Sequence, residues 1–430
     1  MNKIRNHVER QICWFTHLQY EEIPEEVIKR AKWVLLDSVG CILNGLDGKK
    51  LPEEENAKIL KSTAAMVSTE LYEGNRFAIG HPASHIAPIL LYEIENSNLS
   101  YEEALKIFIC AYEIASRWGS TIRFPDDILG HGTIMISGAA VVEGMLNNIS
   151  ESDFINYIMT CECLPEVSTW QSVYEGSALH DYYPGIAAVN AKNTLYMIKD
   201  SVQSSEQLVR SIYDGIIGAK VQEDNLSGDL GTNWYLLKNY FKVHTGCRFI
   251  HPFADVIKTL LDEGLRKDDI ADIHVYTYKK ASRLVKQTVS NALAAKFSTP
   301  VSLATLIVKG RLYPMDIAEA IDDPETMELS KCIHLMEDDK YNMMLPNIRG
   351  GCVIVKKKNG DVIEREVFHA QGDFDNPSEF TQDKLISKFY DVTEKNLDRI
   401  HQENLVKKIF TGNKQLAARE VFSNYYEVVS

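Results

Sequence analysis

From Pro24 to about Tyr240, apolar residues return at the three- and four-residue spacing of amphipathic helices. Val34, Leu35, Leu36 and Val39 lead into Ile42 and Leu43, and Ala104, Ile107, Phe108, Ala111, Tyr112 and Ala115 repeat the stripe further on. Three segments share a helix-start signature: Ser100-Tyr101-Glu102-Glu103, Ser150-Glu151-Ser152-Asp153 and Ser204-Ser205-Glu206-Gln207 each set a hydroxyl three residues before an acid or amide. That spacing satisfies N–H groups that a helix start leaves without partners. Residues 1–240 therefore predict an all-helical domain.

After about residue 265 the period changes. Ile273-His274-Val275-Tyr276-Thr277-Tyr278 alternates like a half-buried strand, and Cys352-Val353-Ile354-Val355 runs through Asn359-Gly360 into Val362-Ile363-Glu364-Arg365-Glu366-Val367. An Asn-Gly pair between two strand-like runs predicts a hairpin. Helical patterning intervenes over Asn291 to Val308 and Pro314 to Ala320, and resumes from Gln382 to the end. The fold class is mainly α: a helical domain over 1–240, a smaller α+β domain over 241–380, and C-terminal helices over 381–430.

With 430 residues, 45% of them hydrophobic, the chain can bury a large core. It holds no run of about 18 apolar residues, and Met1-Asn2-Lys3-Ile4-Arg5-Asn6-His7 leads into polar, amphipathic sequence rather than a signal segment. A soluble, cytoplasmic protein is expected. Eight scattered cysteines, among them Cys41 and Cys110 in apolar runs, read as reduced and buried thiols. The net charge of −14 argues against nucleic-acid partners and against an anionic membrane. An anionic ligand then requires cations that converge locally.

Several segments offer such chemistry. Pro82 disfavours helix at His81, which sets His81 at a loop end ahead of a helix burying Ile86, Ile89, Leu90 and Ile94. An accessible histidine titrates near neutrality and suits proton transfer, although a capping or surface role fits the same position. His85 reads as structural. His131-Gly132-Thr133 precedes an apolar stretch from Ile134 to Leu146, where helix N–H groups favour an anion. Lys242 and Arg248 suit carboxylates, one as a point charge and the other as a two-pronged donor. His244, Cys247 and His251 have ligand types and short spacing for zinc but lack a clear fourth ligand. No glycine-rich nucleotide-binding motif occurs.

The segments also form an ordered set: Glu70-Leu71-Tyr72-Glu73-Gly74 to His81-Pro82, then His131-Gly132-Thr133, then Glu175-Gly176 to Pro184-Gly185, then Lys242 through Cys247-Arg248 to His251-Pro252. Together they resemble the active-site segments of the MmgE/PrpD family, whose members include 2-methylcitrate dehydratase, cis-aconitate decarboxylase and iminodisuccinate epimerase. The resemblance runs from about Pro24 through Asn376-Pro377. It implies a large helical domain to which the C-terminal helices return, a smaller α+β lid with the active site between them, and a homodimer. It implies a cofactor-free enzyme, without metal, that acts on a small polycarboxylate as a dehydratase-like lyase or as an epimerase of an aminodicarboxylate-like substrate. A non-catalytic carboxylate-binding protein would keep the same cations.

On this resemblance the catalytic groups are His81, His131, His180 and Lys242. Glu70, Glu73, Arg76, Cys247, Arg248, His251 and Ser298 contact the substrate or orient a histidine. Four positions depart from the family's pattern. Tyr72 replaces an acid, His180 falls where relatives have Lys or Arg, Cys247 replaces a histidine of the cis-aconitate decarboxylase branch, and Val301 replaces a tyrosine.

Overall fold

The computed structural model describes residues 3–376, 380–413 and 415–430; Pro377, where the resemblance ends, lies outside them. The chain opens with helices α1 (Lys3–His17), α2 (Glu25–Leu46), α3 (Glu55–Ser68), α4 (Pro82–Glu95), α5 (Tyr101–Thr121), α6 (Ile136–Leu146), α7 (Glu151–Cys161), α8 (Trp170–Glu175) and α9 (Leu179–Lys199). The Ser100 hydroxyl accepts from Glu103 N while the Glu103 carboxylate receives Ser100 N, so α5 begins on a full capping box. Ser150 caps α7 by accepting from Asp153 N. The third start is shifted by one residue: Ser205, not Ser204, is the cap, accepting from Leu208 N. The Ser204 backbone is held instead by the Asn156 side chain, which leaves its neighbour extended at the cap.

The apolar stripes of α2 to α6 and α9 meet in one core, where Val34, Leu35, Ile42, Phe108, Ala111 and Tyr112 are buried as the spacing requires. Leu385 and Phe389 of the helix Gln382–Thr393, Leu405 and Ile409 of Arg399–Thr411, and Val429 at the end of the chain join the same core. The protein is mainly α-helical. Among the described residues no helix is long and apolar enough to cross a membrane.

A second core forms around one mixed sheet of β1 (Ile270–Thr277), β2 (Ile333–Glu337), β3 (Gly351–Lys357) and β4 (Val362–Val367), in the order β4-β3-β1-β2. β1 and β2 are parallel, whereas β3 pairs antiparallel with β1 and β4. The β3–β4 hairpin turns at Asn359-Gly360, as its sequence predicts, with Gly360 N on Lys357 O. Ile273, Val275, Val353 and Val355 face Phe253 and Ile257 of the helix His251–Asp262 and Leu303 of Thr299–Lys309.

The N-terminal region also contains strands that helical periodicity did not predict. Gly74–Asn75 pairs with Asn239–Tyr240, Ile122–Arg123 with Lys220–Val221, and Ile128–Leu129 with Ser168–Thr169. Two-residue pairs are too short to leave a period in the sequence. They tie together the loops from which the site is built.

Candidate active site

A cavity of about 210 Å³ is lined by Glu70, Tyr72, His81, His131 and His180 from the first half of the chain and by Tyr240, Lys242, Cys247, Arg248 and Arg349 from the second. Arg76 also lines it. The structure thus brings together His81, His131, His180, Lys242, Glu70, Arg76, Cys247 and Arg248. It leaves Glu73, His251 and Ser298 behind the wall.

The loop after α3 sets the first carboxylate. Glu70 takes a left-handed φ of 48°, and its carbonyl accepts from Gly246 N at 3.0 Å and Lys242 Nζ at 3.1 Å. Its carboxylate receives Lys242 Nζ at 2.8 Å on Oε2 and has His180 Nε2 3.7 Å from Oε1. Burial opposes this charge, but Lys242, then His180 and His81, hold the carboxyl down at about 2. Tyr72, at the position where the family pattern has an acid, lies with its ring 4.6 Å from that of His81 and 5.0 Å from Lys242 Nζ.

Glu73 does different work. Its carboxyl accepts from Ala83 N at the start of α4 and from the Tyr112 hydroxyl, and burial pushes it up to about 8, so it holds a proton at neutral pH. Its backbone carbonyl lies 2.6 Å from His81 Nδ1. A carbonyl only accepts, so Nδ1 carries the hydrogen and Nε2 is left with the lone pair. Burial and then Lys242 push His81 down to about 3. Gly74 makes the arrangement possible: a Cβ there would lie 2.7 Å from His81 Nδ1 and 2.4 Å from the Tyr240 hydroxyl.

His131 sits in a turn well before α6, which begins at Ile136 because Met135 takes a φ of 78°. The helix start is therefore not what positions it, contrary to the sequence expectation. The turn is held by Ser168 Oγ donating to His131 O and by Gly132 N donating to His85 Nε2, which gives His85 the structural role its sequence suggested. The His131 ring stacks on His180 with centroids 4.7 Å apart and planes 6° apart. Its Nε2 is buried without a partner among the described residues, and burial followed by the surrounding histidines pushes its pKa well below the usual range. His180, in the first turn of α9, has Nδ1 3.1 Å from Asp181 Oδ1.

The remaining predicted groups are mostly committed. Arg248 Nη2 donates to Asp373 Oδ1 at 2.7 Å, its guanidinium lies 4.6 Å from the Tyr240 ring centroid, and Nη1 faces His251 Nδ1 at 3.3 Å. His251 backs the arginine rather than touching the cavity. Arg76 pairs with Asp375. Cys247 lines the cavity as a neutral thiol, pushed up to about 12 by burial. Ser298 caps Thr299–Lys309, accepting from Val301 N at 3.1 Å and donating to Lys286 O. Of the residues considered for zinc, His244 pairs with Asp255 and His251 with Arg248. Among the described residues, ligand atoms approach one another as a metal site would require at His369, Asp373 and Asp375, where both acids already bind arginines.

Tyr240 and Arg349 were missed. Tyr240 stands two residues before Lys242, and its pairing with Gly74 is visible only in three dimensions. Arg349 precedes Gly350-Gly351, a glycine pair that marks a close backbone approach but names no side chain.

Residues 244–410 match the MmgE/PrpD C-terminal domain. Over that segment the chain is similar to the MmgE/PrpD family. Two cis-aconitate decarboxylases of Aspergillus terreus, one of them from strain NIH 2624 / FGSC A1156, are each 19% identical to it over 419 residues, covering 84% of this chain and 84% of the relative. The matched segment carries Cys247, Arg248 and Arg349, whereas His81, His131, His180 and Lys242 all precede it.

Proposed function

We propose that this chain is a cofactor-independent lyase, dehydratase-like, that removes a proton beside a carboxylate of a small polycarboxylate. The observation that carries this reading is His81, held by the Glu73 carbonyl with Nε2 as its lone-pair nitrogen, in a cavity lined by cations. A proton beside a carboxylate is weakly acidic, so its removal needs a positioned base and fixed positive charge where the enolate develops. His81 is the base, and Lys242 supplies the nearest fixed charge. Burial and Lys242 weaken that base; the charge of an anionic substrate lying beside it opposes the effect of Lys242, so binding raises the basicity of His81.

His180 is the proton donor in this reading, supported by its contacts with Asp181 and Glu70. Delivery to a leaving β-hydroxyl gives a dehydratase. Its presence where relatives have a permanent cation favours a second reading: return of the proton to the other face, as in an epimerase of an aminodicarboxylate. The Aspergillus relatives are named decarboxylases, which are lyases too, and that supports the lyase class of the first reading. The protein acts as a homodimer on this proposal, in line with the family resemblance.

Proton NMR in D₂O with citrate-like, malate-like and aminodicarboxylate compounds tests the reading. Deuterium entering beside a carboxylate is expected, with an alkene signal for a lyase and inverted product for an epimerase. In His81→Asn the exchange is expected to fall about 100-fold or more. Ligand binding without exchange in the wild type would mark a carboxylate-binding protein instead.

A further inference from the structure

Six basic side chains line the cavity: Arg76, Arg123, Lys242, Arg248, Lys280 and Arg349. Four of them face a carboxylate already, as Lys242 does Glu70, Arg76 does Asp375, Arg248 does Asp373 and Lys280 does Asp126. Among the described residues, Arg123 and Arg349 have no carboxylate within ion-pair distance. Arg123 is exposed at the rim, with Nη1 on Ser120 O. Arg349 is half-buried, its guanidinium carbon 5.9 Å from the Phe249 ring centroid, and its one hydrogen bond runs from Nη2 to Arg76 O at 3.2 Å.

A guanidinium offers five donors in a planar fork that matches a carboxylate. Arg349 therefore presents most of a fork, partly shielded from water, with no anion of its own. Its backbone is fixed by the next residue: a Cβ at Gly350 would lie 2.0 Å from Val367 O, so the chain is pressed against the end of β4. In the same cavity the buried Nε2 of His131 is also unpartnered among the described residues. Arg349 stands just ahead of β3 and His131 in the turn before α6, and apart from the exposed Arg123 the other cations of the cavity already face carboxylates.

We propose that Arg349 is the specificity anchor for a second carboxylate of the substrate, distal to the carbon that loses its proton. This rests on the reading of the cavity as a carboxylate-acting site and deepens it. The substrate is then at least a dicarboxylate, with one carboxylate near His81 and Lys242 and the other on the Arg349 fork. Arg248 and Arg76, which sequence motifs nominate, hold Asp373 and Asp375 instead and shape the wall.

Calorimetric titration with malonate, succinate and glutarate, and with butyrate as a monoacid of succinate's chain length, tests this on wild type, Arg349→Gln and Arg349→Lys. The best diacid is expected to bind Arg349→Gln about 10- to 100-fold more weakly than wild type, the loss typical of a charge-assisted pair, while butyrate affinity stays unchanged. Arg349→Lys is expected to fall between them, since it keeps the charge but loses the fork. Equal affinity of all three proteins for the diacid overturns the proposal. So does an equal loss of diacid and butyrate binding, or a wild type that prefers neither. Because the readout is binding, a wild type that binds diacids through Arg349 yet exchanges no deuterium would sink the lyase reading and leave this one standing.

Discussion

The histidines and the charged groups around the cavity use burial in opposite ways. His85 and His131 are buried and His81 is half-buried, none with a carboxylate bonded to its ring, and desolvation pushes His81 to about 3, His85 to about 4 and His131 well below its ordinary value. They stay neutral near neutral pH. Among the charged groups burial is answered by pairing. Lys242 holds Glu70 at about 2, and Arg248 keeps Asp373 below its ordinary range although burial pulls it upward. Those charges are fixed whatever the pH does near neutrality. A site for proton abstraction beside a carboxylate needs both kinds of group, and the chain obtains each by choosing whether a buried ionisable group receives a partner.

Removing one partner is the strongest way to break this contrast. Lys242 and Glu70 are almost completely shielded, with side chains 0% and 3% exposed. Lys242→Met leaves a carboxylate buried beside neutral rings, and a loss of about 3–5 kcal/mol in unfolding free energy is expected from urea titration. The double variant Lys242→Met/Glu70→Gln, which leaves no unpaired charge, is expected to regain most of that stability and none of the proton exchange. A single variant as stable as wild type would mean that the pair carries no weight in the wall.

A titration sharpens the other half. An unfolded histidine takes up a proton as pH falls through about 6.5, whereas folded His85 does so only near 4. Its contribution to stability is therefore whole above about 6.5 and is lost as pH falls toward 4, at up to about 1.4 kcal/mol per pH unit. Glu73 and Glu143, pushed up to about 8, and Glu113 and Glu162, pushed up to about 7, work the other way: they stabilise the fold most at low pH and lose that as pH rises. The wild-type slope is a partial cancellation, so the informative quantity is a difference. His85→Gln, which can still accept from Gly132 N, is expected to gain on wild type by about 2 kcal/mol between pH 6.5 and pH 4.5. Parallel stability curves would show that His85 is not held neutral.

Much of this was legible in the sequence, for reasons that also mark where legibility stopped. Long amphipathic helices and the Asn359-Gly360 hairpin announce themselves because their signals are local. His81 and His131 could be singled out because Pro82 and Gly132 mark loops, and loops carry chemistry. Glu73 and His251 belong to the same segments but point the other way, since one residue along a loop or helix start rotates a side chain out of the cavity. Arg349 left no signal: it reaches the site only because the segment ahead of β3 packs against loops some 270 residues earlier. The cap at Ser205 rather than Ser204 was decided by Asn156, a partner that local spacing cannot see.

Ser298 is the finest test of what belongs to the wall and what stands behind it. The family resemblance nominates it for the substrate, yet its hydroxyl is spent on Val301 N and Lys286 O and does not line the cavity. A cap deleted by Ser298→Ala costs about 1 kcal/mol. The expected result is a drop of that size in unfolding free energy with kcat/KM for the substrate unchanged. Loss of activity at unchanged stability would move Ser298 into the site, and with it the boundary between the paired wall and the helix that supports it.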